Sequence, residues 1–156
     1  MRLVLFRHGP AGDRDPVRWP DDRLRPLTDK GAARTRQVAL ALAGLERDLG
    51  HVFSSSLERA EQTAALLAEA AELETPTALD ALEPGGSWRD AIAAIAERLE
   101  QGLLDESDTV ALVGHEPELG KLAGVLLFGA PQSLPLKKAG ACAIDFDGAP
   151  EPGAGQ

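Results

Sequence analysis

Two short apolar runs, Leu3-Val4-Leu5-Phe6 near the start and Thr109-Val110-Ala111-Leu112-Val113 late in the chain, restrict the possible folds most. Each is too short for a stable helix and does not alternate with polar residues, which predicts strands buried on both faces of a parallel sheet. Both stop abruptly on groups that chemistry can use. Arg7-His8-Gly9-Pro10 follows the first run and Gly114-His115-Glu116-Pro117 the second. In open α/β sheets ligands bind in the crevice outside the carboxyl ends of the strands, so a guanidinium beside an imidazole there can hold and attack an anion. One histidine after a strand is more often a loop residue with a satisfied hydrogen bond. Its recurrence at two strand ends is what carries weight.

The segments between these runs read as helices and shorter strands. Thr28 is a plausible N-cap for a helix in which Val38, Leu42 and Leu45 recur on one face, with Gly50 as a stop. Val52-Phe53 gives a second strand ending in Ser54-Ser55-Ser56. Ser55 followed by Glu58 reads as a capping box before a helix carrying Ala60, Thr63, Ala64, Leu67 and Ala71, which puts Arg59 in the first turn. A cation there opposes the helix macrodipole at a cost of a few tenths of a kcal/mol unless an anion sits between them. Backbone N–H groups and an arginine aimed at one spot would make such an anion site. Arg59 could instead pair with Glu58 or Glu61, or extend into water.

Residues 75 to 82 form a weaker third strand, limited by Pro76, and Glu83-Pro84-Gly85-Gly86 is a turn at its carboxyl end. Ser87 or Asp90 opens a helix with Ile92, Ile95 and Leu99 on one face, ending near Gly102. Pro117 starts a helix over 118–127, and residues 141 to 146 can form a last strand. His51 precedes its strand and falls at the opposite edge of the sheet. Residues 9 to 27, with four prolines and dense mixed charge, are a long loop that is either a surface excursion anchored by Trp19 or a contact for substrate.

Together these elements predict an α/β three-layer sandwich, a mostly parallel central sheet with helices on both faces. At 156 residues the chain has room for one domain, spanning 1–147, followed by a Pro/Gly-rich tail over 148–156 expected to be disordered. A net charge of −9 argues against a nucleic-acid surface, because polyanion binding depends on clustered Lys and Arg, but it leaves room for a local phosphate pocket. The absence of a long apolar run or a secretory pattern gives no reason to expect a membrane partner and points to a cytoplasmic protein. Lone Cys142 reads as a small core residue. Three scattered histidines and one cysteine offer no recognised metal-ligand spacing, and no cofactor is implied.

Arg7-His8-Gly9, Ser55-Ser56-Leu57-Glu58-Arg59-Ala60-Glu61-Gln62-Thr63 and Gly114-His115-Glu116-Pro117 occur in an order and context that resemble the histidine phosphatase superfamily, of phosphoglycerate-mutase-like fold. Residues 25 to 31, the short turn after Leu82 and the compact length look like the small SixA-type phosphohistidine phosphatases. The resemblance implies that His8 is a nucleophile that becomes transiently phosphorylated, while Arg7, Arg59 and His115 bind the phosphoryl oxygens. Two guanidiniums and one imidazolium suit that task without a metal, since phosphoryl transfer spreads charge over three equatorial oxygens. It implies a phosphohistidine-bearing protein as substrate. A small phosphate ester on the same site, or a phospho-ligand bound without turnover, are the competing readings.

Glu83 is the candidate proton donor, because relatives acting on alcohol phosphates use a carboxylic acid for a poor leaving group. Imidazole leaves more easily than an alkoxide, so Glu83 is alternatively a plain turn residue. Glu116, beside His115, reads as favouring a helix start. The oligomeric state and any role of Arg14, Arg18 and Arg23 toward a partner are not encoded in these patterns.

Overall fold

The structure is a computed structural model and describes residues 1–156. Five strands form one sheet in the order β3-β2-β4-β1-β5. They are β1 (Arg2–Arg7), β2 (Leu49–Ser54), β3 (Thr77–Ala78), β4 (Thr109–Gly114) and β5 (Ala141–Asp145). β1 and β2 each pair in parallel with β4, β3 pairs in parallel with β2, and β5 alone runs antiparallel, against β1. The helices are α1 (Asp29–Leu45), α2 (Glu58–Ala70), α3 (Trp88–Glu100) and α4 (Glu118–Phe128).

The two apolar runs are the middle of this sheet. Their side chains alternate between faces, so Leu3, Leu5, Val110 and Leu112 pack with Ile95 of α3 and with Leu119, Leu122 and Leu126 of α4. Val4, Phe6, Ala111 and Val113 pack on the other face with Ala39 of α1 and with Ala60, Ala64 and Leu67 of α2. Each fully buried leucine, valine or phenylalanine contributes ~1.5–3 kcal/mol of apolar transfer, which is why both faces must be covered. The predicted three-layer sandwich is the observed one.

This layering also creates the crevice. The chain leaves β1 toward the face holding α1, and leaves the neighbouring strand β4 toward the face holding α4. Adjacent strands whose exits diverge to opposite faces open a gap between their carboxyl ends, the switch point at which open α/β sheets bind ligands.

Several local expectations need correction. Ser55 does not cap α2: the N-cap is Leu57, with no side-chain bond, and the Ser55 hydroxyl is engaged elsewhere. The segment expected as a third strand pairs only over Thr77–Ala78 and then tightens into a 3-10 turn, Asp80–Leu82. His51 lies inside β2 and faces Asp108 at 3.5 Å, at the amino end of β4 and away from the crevice. The 9–27 loop contains a 3-10 turn, Asp22–Leu24.

Residues 148–156 do not dangle. Gly153 N donates to Val125 O at 2.9 Å, Gly155 N to Leu126 O at 3.0 Å, and Gln156 exchanges two backbone bonds with Asp145. These bonds satisfy Leu126 O at the end of α4, add a second donor to Val125 O beside the Gly129 N–H, and pair the free edge of β5, a use that composition alone does not reveal. No helix is long and apolar enough to cross a membrane.

Candidate active site

The sheet register sets the site before any side chain does. Arg7 pairs with Gly114 and Ser54 with Val113, so β1, β4 and β2 end side by side. Pairing runs one step further, with His8 N donating to Gly114 O and Ser55 N to Val113 O, each at 3.0 Å. His8, Ser55 and His115 are therefore presented in one band on the rim. The two imidazole centroids lie 4.9 Å apart, tilted by 52°. Arg7, His8, Arg59 and His115 line a single polar cleft of about 310 Å³, together with Arg14, Arg25 and Lys138.

Gly9 lets the first turn close. A Cβ there would sit 1.9 Å from Thr35 Oγ1 of α1, so only glycine permits that approach. Its N–H donates to Thr63 Oγ1 of α2 at 3.0 Å, and its carbonyl lies 2.7 Å from His8 Nδ1. That carbonyl can only accept, so Nδ1 carries the ring proton and Nε2 keeps its lone pair. Burial is the main cause of a lowered His8 pKa, about 4. The Gly9 carbonyl opposes the shift, while Arg59, Arg7 and Lys138 add to it.

His115 is held through Ser55, whose Oγ lies 2.8 Å from Nε2. Ser55 is fully buried, and its Oγ accepts from Leu57 N at 3.2 Å. The hydroxyl has no other acceptor in reach, so we assign its proton to His115 Nε2 and the ring proton to Nδ1. Burial, then the charges of His8 and Arg59, lower the His115 pKa to about 3, against a smaller opposing effect of Glu83. The expected imidazolium is thus a neutral ring, and the positive charge of the cleft comes from its arginines. A phosphate dianion against the ring would raise its pKa again.

Each arginine is positioned by loop backbone. Arg7 Nη1 donates to Leu136 O at 2.8 Å, and Leu136 N donates to Glu116 Oε1 at 2.9 Å. Glu116 therefore braces the loop that orients Arg7. Arg59 donates through Nη1 to Asp22 O at 2.9 Å and meets the Asp22 carboxylate at 3.3 Å, rather than Glu58 or Glu61. The Nε of both arginines is buried without a partner. Leaving a buried donor unpaired costs ~1–3 kcal/mol.

Glu83 stands at the margin. Arg23 grips it with a two-pronged ion pair at 2.8 and 2.9 Å, and Ser56 Oγ donates to the same carboxylate. The bonds from Arg23, then Ser56, lower its pKa to about 2. In this arrangement the carboxyl is ionised at neutral pH and has no proton to give. No three His, Cys, Asp or Glu side chains converge to hold a metal ion.

Sequence reasoning missed Ser55 as the partner of His115, and Asp22 and Arg25 as supports. Arg25 Nε donates to Asp22 Oδ1 at 2.8 Å and its Nη1 to Gly12 O at 2.7 Å, folding the 9–27 loop onto the rim. Buried Arg25 has no periodic signal. Only its place in a long, proline-rich segment beside the first motif pointed that way.

Residues 3–111 match the model of the histidine phosphatase superfamily (branch 1). An uncharacterized protein of Picosynechococcus sp. is 40% identical over 141 residues, covering 90% of this chain and 82% of that protein. The structure of the protein histidine phosphatase SixA complexed with tungstate superposes with a TM-score of 0.80 at 25% identity, covering 100% of this chain and 93% of that one. A phosphoserine phosphatase from Entamoeba histolytica, in complex with phosphoserine, shares the fold with a TM-score of 0.66 at 17% identity, covering 99% and 95%. The rim of two histidines and two arginines is built on an architecture of the SixA type, and this chain belongs to the histidine phosphatase superfamily.

Proposed function

We propose that this chain is a metal-independent phosphatase of protein phosphohistidine that works through phospho-His8. The observation that carries this reading is the His8 ring. It is tied at Nδ1 to Gly9 O, 4.9 Å from His115, in a cleft shared with Arg7 and Arg59. The lowered pKa keeps His8 neutral near pH 7, with the Nε2 lone pair available for attack. A bond forms from Nε2 to phosphorus, the bond from phosphorus to the leaving group breaks with its electron pair, and Arg7, Arg59 and His115 Nδ1–H meet the equatorial oxygens. Water then attacks the phosphorus of phospho-His8, the phosphorus–Nε2 bond breaks with its electron pair returning to the ring, and phosphate and neutral His8 are released as the water's proton passes to solvent.

The substrate class follows from the leaving group. A phosphorylated imidazole protonated on its second nitrogen departs as neutral imidazole and needs no acid, which suits a site whose candidate acid, Glu83, is held ionised. Likeness to SixA supports the same class.

The test uses a carrier domain bearing ³²P on histidine, compared with sugar phosphates. Phosphate should be released from the carrier, and an acid-labile label should appear on the enzyme and vanish in His8→Ala. Release from sugar phosphates alone would identify a small-ester phosphatase. Substrate binding without acid-labile label or release would leave a binding module.

A further inference from the structure

We propose that Arg23 is a specificity-determining residue, which clamps Glu83 and thereby withholds a carboxylic acid from the leaving-group side of the cleft. The inference rests on the phosphatase reading above. Arg23 lies on the 3-10 turn Asp22–Leu24 in the 9–27 loop, yet reaches Glu83 sixty residues further along the chain. Its Nη1 donates to Glu83 Oε2 at 2.8 Å, and its Nη2 donates to Glu83 Oε1 at 2.9 Å and to Ser56 Oγ at 2.5 Å. Ser56 Oγ also donates to Glu83 Oε1. Both carboxylate oxygens are therefore occupied as acceptors, in the fork geometry that favours the ionised form.

The clamped group is close to the chemistry. Ser56 follows Ser55, whose hydroxyl holds His115. Pro84, the next residue after Glu83, lines the cleft. Glu83 and His115 feel each other's charge, and Asp21 and Asp80 act on Arg23 from outside. Released from Arg23, Glu83 would keep one neutral partner, the Ser56 hydroxyl, and lose the cation that favours its ionised form.

The consequence falls on bond type. Breaking a phosphorus–oxygen bond to an alcohol sends the electron pair to oxygen, which must collect one proton. Breaking the phosphorus–nitrogen bond of a ring-protonated phosphoimidazole yields neutral imidazole directly. With Arg23 in place the first reaction lacks its proton donor and the second loses nothing. Without Arg23, protonated Glu83 gives its proton to the oxygen, becomes carboxylate, and takes a proton from the attacking water in the second step.

The experiment compares the parent, Arg23→Gln, Arg23→Lys and Arg23→Gln/Glu83→Gln on aryl phosphates from 2,4-dinitrophenyl to phenyl, from about pH 5 to pH 8. Arg23→Gln should leave the dinitrophenyl ester within about twofold of the parent and raise phenyl phosphate turnover about tenfold near pH 5.5, the gain fading as pH rises and Glu83 loses its proton. The double variant should lose that gain, and Arg23→Lys, which keeps a cation against Glu83, should behave as the parent. A uniform change across all esters with an unshifted pH profile overturns the proposal, as does a gain that persists without Glu83. If the parent releases phosphate from neither the dinitrophenyl ester nor the phosphohistidine carrier, the phosphatase reading falls and this one with it, whereas release from the carrier alone overturns only the role of Arg23. A uniform response in Arg23→Gln sinks only the role of Arg23.

Discussion

Two histidines with the same neighbours are kept apart in role by one hydrogen bond each. The Gly9 carbonyl takes the Nδ1 proton of His8, whereas the Ser55 hydroxyl faces Nε2 of His115, so the two rings present opposite nitrogens to the cleft: an unprotonated Nε2 on His8 and a protonated Nδ1 on His115. Ser55→Ala removes the group that selects the His115 tautomer. The expected result is a fall in kcat of about tenfold on p-nitrophenyl phosphate, smaller than the ~100-fold of losing an oxyanion donor outright. Steady-state kinetics check the rate, and the ¹⁵N shifts of the His115 ring check the tautomer. An unchanged ring with an unchanged rate would remove Ser55 from the site.

Among the elements, α2 carries the heaviest positional duty. It presents Arg59 from its first turn and, one turn later, Thr63, whose Oγ1 donates to Arg59 O at 2.7 Å and accepts from Gly9 N at 3.0 Å. One buried hydroxyl thus ties the helix bearing Arg59 to the turn bearing His8. Thr63→Val keeps the shape and leaves Gly9 N unsatisfied. It should cost ~1–3 kcal/mol in urea unfolding and loosen the His8 turn, lowering kcat in the same variant.

The central strands were legible from sequence because β1 and β4, buried on both faces, read as unbroken apolar runs. Their polar stops then marked the rim, and Thr28 and Ser87 were found because N-caps are local signals. Ser55 was misread for a related reason. Its spacing to Glu58 fits a capping box, but the competing partner, His115, is 60 residues away and invisible to any local rule. Asp22, Arg25 and Arg23 were illegible as supports for the same cause, since their partners lie across the loop or on other elements. The tail misled through composition, because Pro and Gly describe a segment's own preferences and not the Leu126 carbonyl and the β5 edge that it pairs with.

For the whole molecule, the cleft sets a basic field inside a chain of net charge −9, and the cost appears in its response to acid. Folding depresses both histidine pKa values, to about 4 and about 3, so from ~6.5 downward the unfolded chain binds protons that the native one refuses. This stability is complete above ~6.5, is lost as pH falls toward the folded values, and levels off below them. Urea midpoints should drop between pH 7 and pH 5, a loss on the order of 4 kcal/mol for the two rings together, and the drop should be shallower in His8→Asn/His115→Asn. An equal slope in both proteins would show that the burial of these rings does not govern acid stability.

In the reaction proposed above, fastening Nδ1 of His8 to a backbone carbonyl also decides the regiochemistry of the covalent enzyme. Only the far nitrogen can be modified, which makes the intermediate the tele isomer. An antibody selective for pros-linked phosphohistidine would consequently track a pros-modified carrier through a reaction mixture while remaining blind to the catalyst itself.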